Sequence, residues 1–195
     1  MAKDVGQASE QVLSPAAFVH VVLKTNNFRL LVDFYKKFLG AHSAYENDFA
    51  AFLSYDEEHH RVAIVKVPGD TPKTHSPCGL EHMAFAFKTL DDLFKAYQQR
   101  KRLGITPVWC VNHGPTTSMY YKDPDGNKIE TQVDNFDSAD EANDFMMSKE
   151  FAENPIGTDF DPEDHIARLW RGEDHASIKK RVEIGPRGIP DHLGV

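Results

Sequence analysis

Apolar residues recur along this chain with two periods, and the same order of periods occurs twice. The run Phe18-Val19-His20-Val21-Val22-Leu23 is rich in β-branched residues and reads as a strand. Asn26-Asn27 follows as a helix-start signal, Leu30, Leu31, Phe34, Tyr35, Phe38 and Leu39 recur at helical spacing, and Gly40 closes the segment. Residues 80–87 repeat the plan as a second strand, this one carrying His82. Thr89 with Asp92 three positions on is a capping signal, Leu90, Leu93, Phe94 and Tyr97 form the apolar stripe, and Gly104 comes after it. His20 precedes Tyr35 by 15 positions and His82 precedes Tyr97 by 15. The match in register marks an internal duplication.

Further strands are predicted after each helix, over residues 50–55 and 62–67 in the first copy and 108–111, 118–122 and 128–133 in the second. Asp123-Pro124-Asp125-Gly126 is a strong turn, so the last two should pair as a hairpin. The expected fold is α+β: two repeated βαβββ units, about residues 16–69 and 79–135, forming a curved mixed sheet around a cleft. Residues 1–15 read as a tail. Residues 136–195 read as a helical extension packed on this domain or on a second subunit. Within the extension, Asp161-Pro162-Glu163-Asp164 starts a helix, Ile166, Leu169 and Trp170 supply its predicted buried stripe, and Gly172 ends it. Residues 185–195 should be irregular.

With 195 residues, of which 41% are hydrophobic and 11% aromatic, the chain can bury one good core. A net charge of -8 argues against a nucleic-acid surface, because phosphate neutralisation needs clustered cations. Arg100-Lys101-Arg102 and Lys179-Lys180-Arg181 are short and read as solvated helix ends. No apolar run is long enough to span a bilayer, and the first 14 residues are too polar for a secretion signal. Cys78 and Cys110 are accordingly expected as free thiols in the cytosol.

Chemistry concentrates at His20, His82 and Glu130, each inside a predicted strand. One histidine in an apolar strand is ordinarily a core or surface residue, but here two occupy equivalent places in duplicated units. Two imidazoles and a carboxylate can bind one divalent metal on one side and leave the other open. Alternation points Glu130 either inward or to water, and an inward carboxylate needs a cation or strong partners. His59-His60 precedes the strand at 62–67. On the residues alone, with Asp56-Glu57-Glu58 before it, the pair reads as a solvated turn.

Phe-Val-His-Val-Val around His20, Gly-Leu-Glu-His-Met-Ala-Phe around His82 and Asp-Pro-Asp-Gly-Asn-Lys-Ile-Glu ending at Glu130 resemble the vicinal oxygen chelate superfamily. Within it, the chain is similar to the small type I extradiol ring-cleaving dioxygenases over roughly residues 16–135. The resemblance implies that His20, His82 and Glu130 hold Fe(II), with Mn(II) as the alternative. It further implies that His60, in Glu58-His59-His60-Arg61-Val62-Ala63, is the active-site acid-base. His113 and Tyr120 would orient substrate by hydrogen bonding, with Tyr121 facing away. The seven-residue interval from His113 to Tyr120 is shorter than the family's, a departure that bears on His113. The implied partners are a small aromatic diol and O2, in a homodimer or higher homo-oligomer. Phe18, Trp109, Met119 and Phe136 are candidate pocket walls. Two alternatives share the fold. A glyoxalase-like lyase or isomerase would need a further acid at residues 62–67, where none stands, and an aromatic-drug binding module would need no metal.

Overall fold

A computed structural model of the chain describes residues 12, 14–69, 78–188 and 190. The expected tail at residues 1–11 and 13, and the end of the irregular segment at 191–195, lie outside the described residues. The first unit runs β1 (Val21–Thr25), α1 (Phe28–Leu39), β2 (His42–Glu46), β3 (Ala50–Ser54) and β4 (Val62–Lys66). The second runs β5 (His82–Ala86), α2 (Leu90–Arg102), β6 (Trp109–Asn112), β7 (Thr116–Lys122) and β8 (Lys128–Asp134). Both are βαβββ units, as the duplicated pattern predicts, and both open with a parallel pair: β1 lies on β4 and β5 on β8. The extension adds α3 (Ala139–Met146), α4 (Lys149–Glu153), β9 (Thr158–Asp159), α5 (Pro162–Trp170) and α6 (His175–Lys179).

The helices begin and end on local chemistry. Thr89 Oγ1 accepts the Asp92 N–H at 3.1 Å, the cap the sequence signals, and Gly40 closes α1 in the left-handed region at φ 64°. Asn27 stands at the start of α1 but makes no side-chain cap bond there; its amide donates instead to Asp125 of the second unit. Leu30, placed in the apolar stripe by spacing, is 57% exposed, and Phe28 and Val32 are buried in the stripe that forms. Trp170 is likewise turned out, 80% exposed, so α5 buries Ile166 and His165. A short helix on the rim has only a narrow contact face, and residues at its edges stay in water.

The strands form two sheets, ordered β1-β4-β3-β2 and β5-β8-β7-β6-β9. Among the described residues no strand pairing joins them, so the single curved sheet expected from the repeat is replaced by two. What joins the halves is one core. Leu31, Tyr35 and Phe38 of α1 and Leu53 and Ile64 of the first sheet share it with Leu90 and Leu93 of α2 and Met119, Tyr121 and Ile129 of the second sheet. Each such fully buried apolar side chain contributes roughly 1.5–3 kcal/mol. Across the seam, Tyr35 donates to Asp123 at 3.0 Å, Phe38 meets Tyr121 edge-on at 5.0 Å, and Arg100 donates to the Phe38 carbonyl at 2.8 Å. Met119, a candidate pocket wall by sequence, is fully buried in this core and faces away from the site.

The extension is fastened to the second sheet. β9 adds to the edge of β6, and Gly157, just before it, sits at φ 102° where any Cβ would lie 2.2 Å from the Asn112 carbonyl oxygen. Arg181, buried, donates to the carbonyls of His113, Asn154 and Glu150 and pairs with Glu183.

Candidate active site

Strand alternation decides what each sheet offers on the face away from the core. On β5 and β8, Met83, Ile129, Thr131 and Val133 turn toward the core or its edge, so His82 and Glu130 share the opposite face. On β7, Tyr120 lies directly across from Glu130, while Tyr121 is fully buried on the core side. There His82 Nε2 stands 2.9 Å from Glu130 Oε2. The His82 ring meets Tyr120 edge-on at 5.3 Å, and Trp109 stacks on Tyr120 at 4.9 Å. Trp109 thus lies on this face.

The charges in this cluster are mutually dependent. Glu130 is only 5% exposed, and burial works against its carboxylate. Hydrogen bonds from His82 and Ser118 outweigh that and hold its pKa below the ordinary value. The His82 pKa is pushed up to about 8, first by the bond to Glu130 and, against burial, by a second carboxylate, Glu81, at Nδ1. His113 is held neutral: burial lowers its pKa, partly opposed by its bond to a backbone carbonyl. That carbonyl, of Ile156, lies 2.6 Å from Nδ1 and can only accept, which puts the proton on Nδ1. Nε2 is then the acceptor for the Tyr120 hydroxyl at 3.0 Å. Burial, then the Glu130 charge, raises the Tyr120 pKa and keeps the phenol protonated.

The first unit holds the other candidates. His20, exposed just ahead of β1, has its ring 4.3 Å from that of His60 and 6.4 Å from that of His59. His60 also stacks on Phe52 of β3 at 5.0 Å. Its pKa is lowered by burial and by the neighbouring imidazoles, His20 first. The ordering of the turn comes from Arg61, which binds Asp56 and the Phe18 and Val19 carbonyls and so ties residues 56–61 to the strand entry.

The pattern of the Glyoxalase/Bleomycin resistance protein/Dioxygenase superfamily matches residues 17–131. This chain belongs to that superfamily. Relatives in it include biphenyl-2,3-diol 1,2-dioxygenase 2 of Rhodococcus globerulus, 45% identical over 74% of this chain and 77% of that protein. Biphenyl-2,3-diol 1,2-dioxygenase 3 of the same organism is 46% identical over 73% and 76%. Among solved structures, a glyoxylase/bleomycin resistance protein/dioxygenase domain from Frankia sp. EAN1pec shares the fold with a TM-score of 0.52. It is 15% identical and covers 62% of this chain and 99% of that one.

Six candidate residues of this superfamily member therefore fall into two groups. His82, Glu130, Tyr120 and His113 meet on the second sheet; His20 and His60 meet on the first. Imidazole and carboxylate donors suit iron or manganese, but within one chain the set does not fit a three-ligand metal site. Among the described residues, no three His, Cys, Asp or Glu side chains are grouped so as to hold an ion. Phe18 is 81% exposed beside His20, and Phe136 packs on Phe145 of the extension. Three contributors were not singled out from sequence: Glu81 on His82, Ser118 on Glu130 and the Ile156 carbonyl on His113. Glu81, adjacent to His82, was legible in principle; a backbone carbonyl 43 residues from its partner leaves no residue signal.

Proposed function

We propose that this protein is an extradiol dioxygenase, opening the ring of a catechol-type aromatic with O2. The observation that carries the reading is the pair of Rhodococcus globerulus relatives, 45% and 46% identical over about three quarters of the chain, whose names state that reaction on biphenyl-2,3-diol. In the reaction both atoms of O2 enter the product, the ring carbon–carbon bond beside the paired hydroxyls breaks, and a ring-opened acid with an aldehyde or ketone forms. A metal, Fe(II) or Mn(II), would supply Lewis acidity and bring diol and oxygen together.

The chain's own groups have separable tasks. Trp109 and Tyr120 offer an aromatic wall for a flat ring. Neutral His113 accepts the Tyr120 O–H and so fixes its direction, leaving the un-ionised hydroxyl oxygen to accept from a substrate hydroxyl. His60, kept neutral by its surroundings, is free to accept a proton from a diol hydroxyl and return it later. The absence of an acid along Val62–Lys66 favours this reading over a lyase or isomerase with a four-ligand site. The test is an oxygen electrode with a panel of catechols, biphenyl-2,3-diol among them, after anaerobic loading with Fe(II). Stoichiometric O2 uptake with a yellow product is expected. Conversion of a thiol adduct without O2 uptake, or binding of an aromatic without turnover, would displace the proposal.

A further inference from the structure

We propose that Arg181 is a positioning residue for ring cleavage, acting through His113 on the Tyr120 hydroxyl. The inference rests on the dioxygenase reading for the task of that hydroxyl, and begins from a buried cation. Arg181 lies in the extension, 68 residues on from His113, and only 1% of its side chain is exposed. A charge so deeply buried is costly unless its donors are satisfied. All five of its N–H groups have acceptors. Nε and Nη2 pair with Glu183, and Nη2 also donates to the Glu150 carbonyl at 3.1 Å. Nη1 donates to two carbonyls, that of Asn154 at 2.8 Å and that of His113 at 3.0 Å. The guanidinium carbon stands 5.0 Å from the centre of the Phe145 ring.

One nitrogen thus joins His113 to the segment that orients it. Asn154 opens the loop 154–157 and closes it with its own side chain, which accepts from the Gly157 N–H at 2.8 Å and donates to the Gly157 carbonyl at 3.1 Å. Inside that loop stands Ile156, whose carbonyl accepts from His113 Nδ1 at 2.6 Å. Arg181 therefore sets the distance between the His113 main chain and the group that fixes its tautomer. The consequence reaches the site face, because Nε2, left bare, accepts from the Tyr120 hydroxyl at 3.0 Å and aims its oxygen. Without the guanidinium, the carbonyls of His113, Asn154 and Glu150 lose a donor, and the loop is free to drift from His113. A ring no longer held at Nδ1 can take the other tautomer. Nε2 would then carry a hydrogen and could not accept from Tyr120.

The test reads His113 directly and then through turnover. Nitrogen-15 NMR is recorded on the histidine-labelled full-length chain, kept free of paramagnetic iron, with the His113 signals assigned by their loss in His113→Gln. Wild type should show Nδ1 protonated and Nε2 bare. In Arg181→Gln the two tautomers should be mixed, and an unchanged spectrum overturns the proposal. With Fe(II) supplied, Arg181→Gln should lower kcat on a catechol by about ten- to a hundred-fold with little change in KM, as misplacement of an orienting group does. His113→Gln should lower it comparably, and the double variant no further, because both changes remove the same interaction. Losses that multiply in the double variant would make Arg181 independent of His113, and the proposal would fall. Circular dichroism checks that each variant folds. If Arg181→Gln does not, Arg181→Lys, which keeps the charge without the planar fork, replaces it in the same comparisons. Should wild type cleave no catechol, the dioxygenase reading fails, while the His113 tautomer still decides whether Arg181 positions the ring.

Discussion

At the scale of single residues, the chain carries more information about the face of a strand than about its partner. Alternation separates Tyr120 from Tyr121, and the structure puts the first beside Glu130 and the second in the core. The same rule, carried to Met119, contradicts its expected place as a pocket wall, because neighbours in a strand cannot both face the cleft. Glu81 adjoins His82, but a charged residue at a strand entry usually belongs to solvent, so its position alone does not mark it. Here its carboxylate accepts from His82 Nδ1 and leaves Nε2 directed at Glu130. A carboxylate holding the far nitrogen of a ligand histidine fixes the ring and strengthens its basicity. On the proposed reading, in which His82 holds the metal, replacing Glu81 by Ala should weaken binding of that metal by about ten- to a hundred-fold. Glu81→Gln, whose amide oxygen still accepts from Nδ1, should recover most of it. Competition with a colorimetric chelator reads both variants, and equal affinity in the Ala variant would remove Glu81 from the site.

Elements with strong periodicity or caps were legible, and those held by distant contacts were not. α2 and the β7–β8 hairpin follow from Thr89, the apolar stripe and Asp-Pro-Asp-Gly. α5 follows from Asp161-Pro162, yet spacing predicts Trp170 on its buried face where the structure exposes it, because a nine-residue helix covers little more than two turns of contact. Its anchor is His165, packed on Phe160 at 4.5 Å and Phe94 at 6.0 Å, with no hydrogen-bond partner at Nδ1 among the described residues. Burial lowers its pKa from the ordinary 6.5; Arg168 adds to this, and Asp164 and Asp161 oppose it without prevailing. The folded protein thus resists a proton that the unfolded chain accepts. Stability from this group is complete above the unfolded value of 6.5 and is lost as pH falls below it, toward the lower folded pKa. In His165→Phe the decline in urea midpoint from about pH 7 to about pH 5 should be shallower than in wild type. Parallel declines would place the acid sensitivity elsewhere.

For the whole molecule, the repeat predicts two like units but is silent on how they face each other. A hydrophobic pattern states which side of an element leaves water; it does not state which other element receives that side. Both arrangements, one curved sheet or two sheets on a common core, bury the same stripes of α1 and α2. The structure takes the second, and Phe38 is its test: 2% exposed, it stacks on Phe34, meets Tyr121 of the other unit, and lies under the Arg100 guanidinium at 3.9 Å. Phe38→Ala should cost about 3–5 kcal/mol. Because the core is common, that loss should move one cooperative transition in which both halves unfold together. With Trp170 replaced by Phe in both proteins, tryptophan fluorescence follows Trp109 in the second unit, and far-ultraviolet circular dichroism follows the whole chain. Coincident shifts of the two signals in Phe38→Ala are the expected result. Were the Trp109 signal to keep its wild-type midpoint, the halves would be independent.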